Sequence, residues 1–459
     1  MTAHYDVIIV GSGPAGIFSA LELARAGAGR VLLLEKGHDL DKRVCPARVG
    51  QCRSCPVCLI TTGWGGAGAF SDGKLTLTGE IGGWLGDYVG APLLDSLIDD
   101  VDAQWLRFGA DTSVIEPDPD SVARLSRLAV LAEMSLIPMR LRHLGSDRSP
   151  GVLAEMRAWL ESAGVEIRTK TMAKSVLVQD DRVSGVTLAD GTHLSANAVI
   201  LAPGREGAEW LLQQARAIGI PVSNNAVDIG VRVECPAPVL EPLTTHLYEA
   251  KLTYYSRAFG DKVRTFCMNP YGVVTTEHYG DIVTVNGHSL SEEKTPYTNF
   301  AVLVSQSFTQ PFHEPITYGR SIAKLANLLG EGILVQRLGD LKAGRRSTHK
   351  RLSESVVTPT LASATPGDLA SVIPYRHLVD ILEFIQALDA LAPGVAAPTT
   401  LLYGVEVKFY SSRLQLDSNL MTKTKGLFAI GDGAGVTRGL VQSSASGIVA
   451  ARAVVRLQQ

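Results

Sequence analysis

The feature that most constrains the fold is a glycine-rich turn near the N-terminus, flanked by two apolar segments. Residues 6–10 form a strand-sized apolar run, Gly11–Gly16 reads GSGPAG, and an amphipathic helix is predicted to about Ala26. A second apolar run, 30–34, ends at Glu35. Strand, glycine turn, helix, strand and acidic residue in this order form the full fingerprint of a βαβ dinucleotide-binding unit. The sequence therefore predicts a Rossmann-like parallel sheet.

The residue types in this turn suit a phosphate ligand. Gly11 makes the tight turn, Gly13 lets the backbone approach a pyrophosphate, and Gly16 lets helix and strand pack closely. Pro14 fits the first helical turn, where its missing N–H is not needed. The free N–H groups and the dipole of the helix start favour anions. Glu35 lies 19 residues after Gly16, where a carboxylate is expected to accept hydrogen bonds from the adenosine ribose hydroxyls.

The far end of the chain indicates which dinucleotide is bound. Residues 426–430 read as a strand, Gly431–Asp432 ends it, and a helix-like segment follows from about Gly439. An aspartate in this place is expected to hold the ribityl chain, and the helix start is expected to face the flavin N1–C2=O edge. Short strands with a turn at Asp190–Gly191 occupy residues 165–204 and complete the sheet. Together these elements predict one FAD, bound tightly and non-covalently.

Six longer segments resemble a known family. They are Gly63–Leu75, Asp228–Glu234, Val285–Ser289, Gly344–Ser347, Leu402–Gly404 with Lys408–Tyr410, and Gly431–Gly439. With them the chain resembles the bacterial FAD-dependent dehydrogenase family, within the glutathione-reductase-type FAD superfamily, over nearly its whole length. The resemblance implies flavin redox chemistry and leaves the substrate open.

The predicted fold class is α/β. A Rossmann-like FAD-binding domain, built from a parallel sheet plus a β-meander, is expected to carry an inserted α+β substrate domain. The FAD-binding domain is expected in three pieces, 1–40, 150–210 and 400–459. Residues 41–149 are expected to form a Cys- and Gly-rich loop and a helical excursion, and residues 211–399 the substrate domain.

The residues expected to contact FAD lie in both glycine turns, beside the sheet strands and in the glycine-dense loop that begins at Gly63. Backbone N–H groups of such a loop can face a pyrophosphate or a flavin edge, and Trp64 is a candidate for packing on a ring. The full set is Gly11, Ser12, Gly13, Pro14, Ala15, Gly16, Glu35, Lys36, Arg43, Gly65, Gly66, Ala67, Gly68, Ala173, Ala202, Gly204, Gly431, Asp432, Gly439, Leu440 and Val441.

The candidate catalytic residues are Lys408, Tyr410 and Arg438. Flavin hydride transfer often needs a group that takes or gives a proton, and Lys408 and Tyr410 lie shortly before the flavin strand. Arg438 follows Asp432 in a glycine-rich turn, where a guanidinium can stabilise a reduced, anionic ring. Further candidates in the substrate domain are Tyr271, His278, His288, Arg345 and Arg346.

Four cysteines, Cys45, Cys52, Cys55 and Cys58, lie close together in the sequence. The tight end of the pattern resembles iron–sulfur ligand spacing, although the bacterial ferredoxin pattern is not matched, and zinc fits less well. Cys55 and Cys58 also suit a redox dithiol. Structural or simply reduced cysteines are the third interpretation, so an iron–sulfur cluster is one hypothesis among three.

Composition limits the partners. Lys and Arg number 43 and Asp and Glu 46, a net charge of −3, which disfavours nucleic acid. No apolar run has the length of a membrane span, and the start of the chain does not read as a signal peptide, so a cytoplasmic location without membrane binding is expected. A small organic substrate is expected, and the oligomeric state is left open.

Three functions are compatible with these motifs. The first is an FAD-dependent dehydrogenase or reductase that transfers a hydride between a small molecule and flavin N5. The second is an NAD(P)H-dependent flavin monooxygenase, and the third a flavin and thiol redox sensor or electron carrier. No second glycine fingerprint opens a strand–helix unit in residues 211–399. A resident NAD(P) domain is therefore not predicted, and NAD(P)H as a transient reductant stays open.

Overall fold

The structure is a computed structural model. It describes residues 3–45, 55, 57–71, 73–144, 148–247, 249–279, 281–289, 294–309, 311–312, 314–410 and 412–459. The chain forms two compact units, and each is made of separate stretches of sequence. Unit 1 comprises residues 1–115, 140–225 and 411–459, and unit 2 comprises residues 116–139 and 226–410.

The strands, in chain order, are β1 (His4–Val10), β2 (Val31–Leu34), β3 (Lys74–Thr76), β4 (Met134–Ile137), β5 (Leu141–His143), β6 (Glu166–Arg168), β7 (Ala173–Gln179), β8 (Arg182–Leu188), β9 (His193–Leu201), β10 (Val222–Ser223), β11 (Val227–Pro236), β12 (Lys251–Tyr255), β13 (Lys262–Asn269), β14 (Val273–Tyr279), β15 (Ile282–His288), β16 (Tyr297–Gln306), β17 (Leu334–Arg337), β18 (Thr365–Pro366), β19 (Leu401–Lys408), β20 (Arg413–Leu414) and β21 (Leu427–Ala429). The helices are α1 (Pro14–Arg25), α2 (Gly86–Val89), α3 (Ala91–Arg107), α4 (Pro119–Leu131), α5 (Ser149–Ser162), α6 (Ala208–Ala217), α7 (Ala237–Leu247), α8 (Pro315–Gly330), α9 (Leu338–Lys342), α10 (His349–Ser353), α11 (Tyr375–Leu388) and α12 (Leu440–Gln458).

Unit 1 is organised by a seven-stranded sheet in the order β6-β2-β1-β9-β8-β7, with β21 also paired to β9. β6, β2, β1, β9 and β21 run parallel, and β7, β8 and β9 form an antiparallel meander. β2 is buried at all four positions, as expected for a strand in a parallel sheet that is covered on both faces. The predicted parallel sheet plus β-meander is therefore confirmed.

The helices α1 and α12 pack closely against each other in unit 1. A Cβ added to Gly447 would lie 2.2 Å from the Ala15 carbonyl oxygen, so only glycine permits this approach. Arg452 on α12 extends the contact, since it bonds Glu22 on α1 at 2.7 Å and Asp100 on α3 at 2.8 Å. The first and last helices of the unit are thereby held together, with their starts close to the glycine turns.

Unit 2 is built on an eight-stranded sheet in the order β18-β17-β19-β11-β16-β13-β12-β4. Its central strands β19, β11 and β16 are antiparallel, and β11 is buried along nearly its whole length. α8 and α11 pack against these strands. The hairpin of β14 and β15 forms a separate two-stranded sheet. This mixed architecture agrees with the predicted α+β domain.

Two details differ from the sequence interpretation. Residues 41–149 are expected to form a loop and a helical excursion, but they also contain the strands β3, β4 and β5, because β4 pairs with β12 and β5 with β3. The boundaries between the compact units lie at 225/226 and 410/411. The boundaries expected from the sequence are 210/211 and 399/400. Among the described residues, no helix combines the length and the apolar character that a membrane span requires.

Candidate cofactor-binding site

The turn between β1 and α1 has the geometry of a phosphate-binding loop. Gly11 has φ +106°, and a Cβ there would lie 2.2 Å from the Ala202 carbonyl oxygen. A Cβ on Gly16 would lie 1.9 Å from the Gly11 carbonyl oxygen. Gly13 is different, because a Cβ there would meet nothing within 4 Å. The first and third glycines are therefore required by packing, and the middle glycine faces open space.

The start of α1 presents unbonded backbone donors to that open space. Gly13 is the N-cap of the helix, no side chain caps it, and Pro14 occupies the first turn. The first N–H groups of a helix have no partner within the helix and, together with the helix dipole, they favour an anion. The geometry therefore suits a phosphate group at Gly13.

Glu35, at the end of β2, is buried and bonded by protein donors. One carboxylate oxygen accepts hydrogen bonds from the Ser12 N–H at 3.0 Å and the Ser12 hydroxyl at 2.7 Å. The other accepts from the N–H groups of Gly37 at 2.8 Å and Gly63 at 3.0 Å. The expected role of Glu35 toward the ribose stays a prediction, and the structure adds a second role, which is to join three backbone segments.

The glycine segment after Gly63 lies against the starts of two helices. The Gly65 N–H donates to the Ser12 carbonyl at 2.9 Å, and a Cβ on Gly66 would lie 3.0 Å from the Gly13 Cα. A Cβ on Gly68 would lie 2.8 Å from Leu440 Cδ2 and 3.3 Å from Pro14 Cγ. Because these glycines lack side chains, the segment fits between α1 and α12, beside the predicted cofactor.

The side chains of Trp64 and Arg43 are both buried and hydrogen-bonded to backbone carbonyls. Trp64 is fully buried, and its indole N–H donates to the Leu153 carbonyl at 2.8 Å, so it packs in the core instead of on a cofactor ring. Arg43 is also buried, and its guanidinium donates to the carbonyls of Leu59, Ile60 and Trp64 at 3.0, 2.6 and 2.5 Å. Burial lowers the pKa of Arg43 to about 10, and nearby Glu35 opposes this shift. Arg43 thus holds the 59–64 segment in place.

Other predicted contact residues border the same turns. The Ala202 N–H donates to the Val10 carbonyl at 2.8 Å, which places Ala202 beside Gly11. Gly204 has φ +64° and faces open space. Ala173 begins β7 opposite Leu188, and Lys36 forms an ion pair with Glu206. The structure therefore brings Ala202 to the dinucleotide turn, whereas Lys36 is held in an ion pair.

Asp432 follows β21, as the sequence predicts. One of its carboxylate oxygens accepts from the Thr437 hydroxyl at 2.8 Å. The other lies 3.5 Å from the Gly439 nitrogen and 3.5 Å from Arg205 Nε. Burial raises the pKa of Asp432, and Arg205 and the hydrogen bonds oppose that shift. The carboxylate is thus tied to the residue that caps α12.

The start of α12 resembles the start of α1. Its N-cap, Gly439, has φ +106°, bears no capping side chain, and would have nothing within 4 Å of an added Cβ. Leu440 and Val441 follow in the first turn, where backbone N–H groups have no hydrogen-bond acceptor within the helix. A second anion- or carbonyl-binding helix start therefore lies in unit 1.

The sequence analysis missed a segment, Gly79–Leu85, that pairs with the residues before α12. Trp84 N–H donates to the Val436 carbonyl at 2.8 Å, and the Arg438 N–H donates to the Gly82 carbonyl at 2.6 Å. The Gln442 amide donates to the carbonyls of Gly79 and Ile81. The Arg438 guanidinium lies 3.9 Å from the centre of the Trp84 ring. No sequence motif marks this pairing, because it joins residues far apart in the chain.

The catalytic candidates of unit 2 lie in buried polar networks. Lys408 Nζ lies 3.1 Å from Glu277 and 3.2 Å from Glu406. Burial lowers its pKa, but Glu406 and Glu277 outweigh that effect, so the net pKa is raised. A lysine whose pKa is raised keeps its proton at neutral pH, so it suits a fixed positive charge and not general-base catalysis. Tyr410 donates to Asp228 at 2.6 Å and accepts from Arg264 at 2.9 Å.

The other polar candidates lie on or between several different elements of unit 2. The Arg345 guanidinium donates to the Asp340 carboxylate at 2.8 Å. Tyr271 donates to Glu241 at 2.5 Å. His278 and His288 lie on β14 and β15. Their catalytic roles remain predictions.

The cysteine segment gives no support to a metal cluster. Cys52 lies outside the described residues, and Cys45, Cys55 and Cys58 are free thiols. Among the residues that are described, no group of three or more His, Cys, Asp and Glu side chains is arranged to hold a metal. The part of the cysteine segment that is described therefore gives the iron–sulfur hypothesis no support.

The residues present fit an FAD cofactor. Two helix starts with glycine N-caps face open space, and both lie at the carboxyl ends of parallel strands, where α/β sheets bind ligands. The glycine segment Gly65–Gly68 adjoins both of them. An extended molecule with a pyrophosphate and a polar ring edge matches this arrangement.

Comparison with protein families agrees with this geometry. Residues 6–42 match the family described as FAD binding domain. Residues 226–409 match the family described as FAD-dependent protein, C-terminal domain-like, a range that covers nearly all of the longer stretch of unit 2. The predicted resemblance to FAD-dependent proteins is confirmed, and so is FAD as the cofactor.

Comparison with individual proteins is less informative. The search of curated proteins found no match. Among solved structures, the chain is similar to 3-ketosteroid-Δ4-(5α)-dehydrogenase from Rhodococcus jostii RHA1, with 14% identity over 99% of this chain and 97% of that chain and a TM-score of 0.45. It is also similar to L-amino acid deaminase from Proteus myxofaciens, with 14% identity, 99% and 90% coverage and a TM-score of 0.38.

Proposed function

We propose that this chain, an FAD-dependent oxidoreductase, transfers a hydride between a small organic substrate and N5 of a non-covalently bound flavin. The observation that supports the proposal most is the pair of uncapped helix starts at Gly13 and Gly439, joined by the segment Gly65–Gly68. One site suits a pyrophosphate and the other a flavin ring edge. The FAD supplies hydride acceptance and donation when bound.

The residues of unit 1 hold and orient the cofactor in this proposal. The backbone at Ser12–Gly16 binds the pyrophosphate, and Glu35 keeps that turn in its binding conformation through its two bonds to Ser12. Asp432 accepts hydrogen bonds from the ribityl chain while Thr437 orients its carboxylate. The N–H groups of the first turn of α12 face the N1–C2=O edge, where they favour negative charge on the ring.

Arg438 has the proposed role of stabilising the reduced ring. Its guanidinium stacks on Trp84 at 3.9 Å, so the side chain is held beside the start of α12. A cation in this segment lowers the energy of an anionic ring electrostatically. In unit 2, Lys408 has the proposed role of a fixed cation that stabilises negative charge on the substrate, because Glu406 and Glu277 keep it protonated, and Tyr410 is proposed to assist.

A second candidate function, a flavin and thiol redox carrier, is favoured by the state of Cys58. Burial raises the pKa of its thiol, but hydrogen bonds from Thr61 and the Ile60 backbone outweigh that effect and lower it overall. Cys58 is exposed, as is Cys55. A low thiol pKa with exposure is typical of a redox-reactive cysteine. The unpaired cysteines also fit the cytoplasmic location that we propose.

The test is the reduction of the purified, FAD-containing protein under anaerobic conditions. Stopped-flow mixing with NADH and with NADPH measures bleaching of the flavin absorbance. Slow or absent reduction by both supports substrate-driven dehydrogenation. Rapid reduction followed by oxygen-dependent product would favour a monooxygenase instead. A Cys55–Cys58 disulfide that reoxidises the reduced flavin, and is itself lost in the process, would contradict the dehydrogenase proposal. The function would then be that of a flavin and thiol redox carrier.

A further inference from the structure

Helix α11 of unit 2 buries two titratable side chains, His377 and Asp380, one turn apart. Their relative exposures are 2% and 0%. In the part of the chain that the structure describes, neither ring nitrogen of His377 and neither carboxylate oxygen of Asp380 has a hydrogen-bond partner. Buried polar groups are almost always bonded. Two unbonded ones on the same helix therefore need a physical explanation.

The turn that joins β12 to β13 supplies the neighbours of this pair. The Gly260 N–H donates to the Ser256 carbonyl at 2.8 Å, which closes the turn. Asp261, at its end, has both carboxylate oxygens bonded by Arg376 of α11, at 2.5 and 2.7 Å. The side chains of Ser256 and Asp261 both act on Asp380. Two carboxyl groups, the half-buried Asp261 and the fully buried Asp380, thus act on each other between the turn and α11.

Few other charges reach the pair. Asp261 and Arg376 are the charged groups that act on His377, and the same two act on Asp380. From α8, the Tyr318 ring lies beside His377, with ring centres 6.4 Å apart. Arg376 already neutralises Asp261 through two bonds. The described groups that favour a negative charge on Asp380 are therefore the Ser256 side chain and Arg376, and Arg376 is already paired with Asp261.

We propose that His377 and Asp380 are both uncharged in the folded protein, with the Asp380 carboxyl group donating its proton to Asp261. A carboxylic acid has a donor that a carboxylate lacks, so one shared proton converts a repulsive contact into a hydrogen bond. Neutral imidazole likewise avoids the cost of a buried cation. This inference concerns unit 2 alone and does not rest on the proposed function.

The electrostatics of both groups agree with the neutral forms. Burial raises the pKa of Asp380 to about 6, and Asp261 adds to the rise while Ser256 and Arg376 oppose it. Burial lowers the pKa of His377 to about 4, with Asp261 opposing and Arg376 adding to the shift. Between these two pH values the folded pair carries no charge, whereas the exposed pair would be ionised as His⁺ and Asp⁻.

The two shifts affect stability with opposite signs. Asp380 has a raised pKa, so it stabilises the folded state, in which α11 buries it, at low pH. This stabilisation is lost as pH rises through about 6. His377 has a lowered pKa, so its contribution is complete at high pH and is lost as pH falls toward about 4. On opening, Asp380 releases a proton and His377 takes one up. The stability of α11 should therefore depend little on pH between these values.

Hydrogen exchange measures this compensation directly. We would record protection factors for the amides of α11 in the FAD-containing protein and in two variants, Asp380→Asn and His377→Gln, at pH 4.5 and 6.5. The wild type is expected to change by about twofold or less. In Asp380→Asn, protection should fall more than about tenfold as pH drops, because His377 alone titrates. In His377→Gln, protection should fall more than about tenfold as pH rises, because Asp380 alone titrates.

Infrared spectroscopy of the wild type provides a readout that does not depend on how well the variants fold. The wild type should show the carbonyl band of a protonated buried carboxyl at pH 5 that disappears by pH 8. Asp380→Asn should lack this band, and the exposed-site control Asp120→Asn should keep it. The same band in the wild type and in Asp380→Asn would overturn the proposal. So would pH profiles of the two hydrogen-exchange variants that slope in the same direction.

Discussion

The carboxylate of Glu35 accepts hydrogen bonds from both the backbone N–H and the hydroxyl of Ser12, at 3.0 and 2.7 Å. Its second oxygen accepts from the N–H groups of Gly37 and Gly63. A carboxylate can accept about four hydrogen bonds, and these four protein donors match that number. One side chain therefore fixes the glycine turn, the end of β2 and the start of the Gly63 segment relative to one another.

Replacing Glu35 by Gln should destabilise unit 1 and weaken FAD binding. The amide nitrogen cannot accept, so two of the four donors lose their partner, and each unsatisfied buried group costs about 1–3 kcal/mol. Urea unfolding and titration of the apoprotein with FAD measure the two effects. Glu161→Gln is the control, since Glu161 is exposed and pairs with Arg157 one turn earlier on the same helix. Equal stability of the two variants would contradict this role for Glu35.

Gly13→Val and Gly16→Ala should separate cofactor binding from folding. A Cβ at Gly13 meets nothing within 4 Å, so the valine variant should fold but lose FAD, because its side chain occupies the proposed pyrophosphate space. A Cβ at Gly16 would lie 1.9 Å from the Gly11 carbonyl, so even alanine should reduce stability. Circular dichroism and bound-flavin absorbance distinguish the two. A yellow Gly13→Val protein would reject the phosphate site.

Asp432→Ala should weaken FAD binding by about 1–3 kcal/mol, as expected for loss of a buried acceptor of hydroxyl hydrogen bonds. Thr437→Val tests the same site indirectly, since it removes the hydroxyl that orients the carboxylate at 2.8 Å. We expect a smaller loss for it. Fluorescence titration with FAD gives both affinities, with Glu161→Ala as the control. Unchanged affinity in Asp432→Ala would remove Asp432 from the site.

Trp84→Leu should change the redox properties of the flavin if Arg438 acts on it. The indole lies 3.9 Å from the guanidinium, and its loss removes a cation–π contact that holds Arg438. The reduction potential should fall and sulfite should bind more weakly, as should also occur in Arg438→Gln. Trp210→Leu is a matched control, because Trp210 donates only to the Lys174 carbonyl. Identical potentials in wild type and Arg438→Gln would exclude the proposed role.

Glu406→Gln should destabilise unit 2 strongly. Glu406 and Arg232 are both fully buried and form two parallel bonds, Nε to Oε2 at 2.8 Å and the terminal nitrogen to Oε1 at 2.9 Å. Removing the negative charge leaves a buried guanidinium uncompensated, at a cost of about 3–5 kcal/mol. The exposed pair of Lys350 and Glu354 provides the control, and Glu354→Gln should cost less than about 1 kcal/mol. Similar denaturation midpoints for both variants would contradict this assignment.

Local chemistry made the dinucleotide unit readable from the sequence. Gly11, Gly13 and Gly16 follow a buried strand at the spacing that a βα turn needs. A Cβ on Gly11 or Gly16 would clash with backbone, and Gly13 faces open space, where the phosphate contact stays a prediction. The Gly431–Asp432 turn and the helix from Gly439 were readable for the same reason. In these segments the strand, turn and helix signals overlap on the same few neighbouring positions, even though a partner such as Ala202 lies far along the chain.

Contacts between distant parts of the chain determined the surroundings of the other side chains. Trp64 and Arg43 read as cofactor contacts, but packing buried one and bonded the other to three carbonyls. Lys408 read as a free catalytic group, yet β14 and β19 bring Glu277 and Glu406 to it. His377 and Asp380 gave no motif at all. The charge state and the partners of a side chain depend on which distant strands and helices pack against it. The spacing of residues in the sequence does not predict which elements those are.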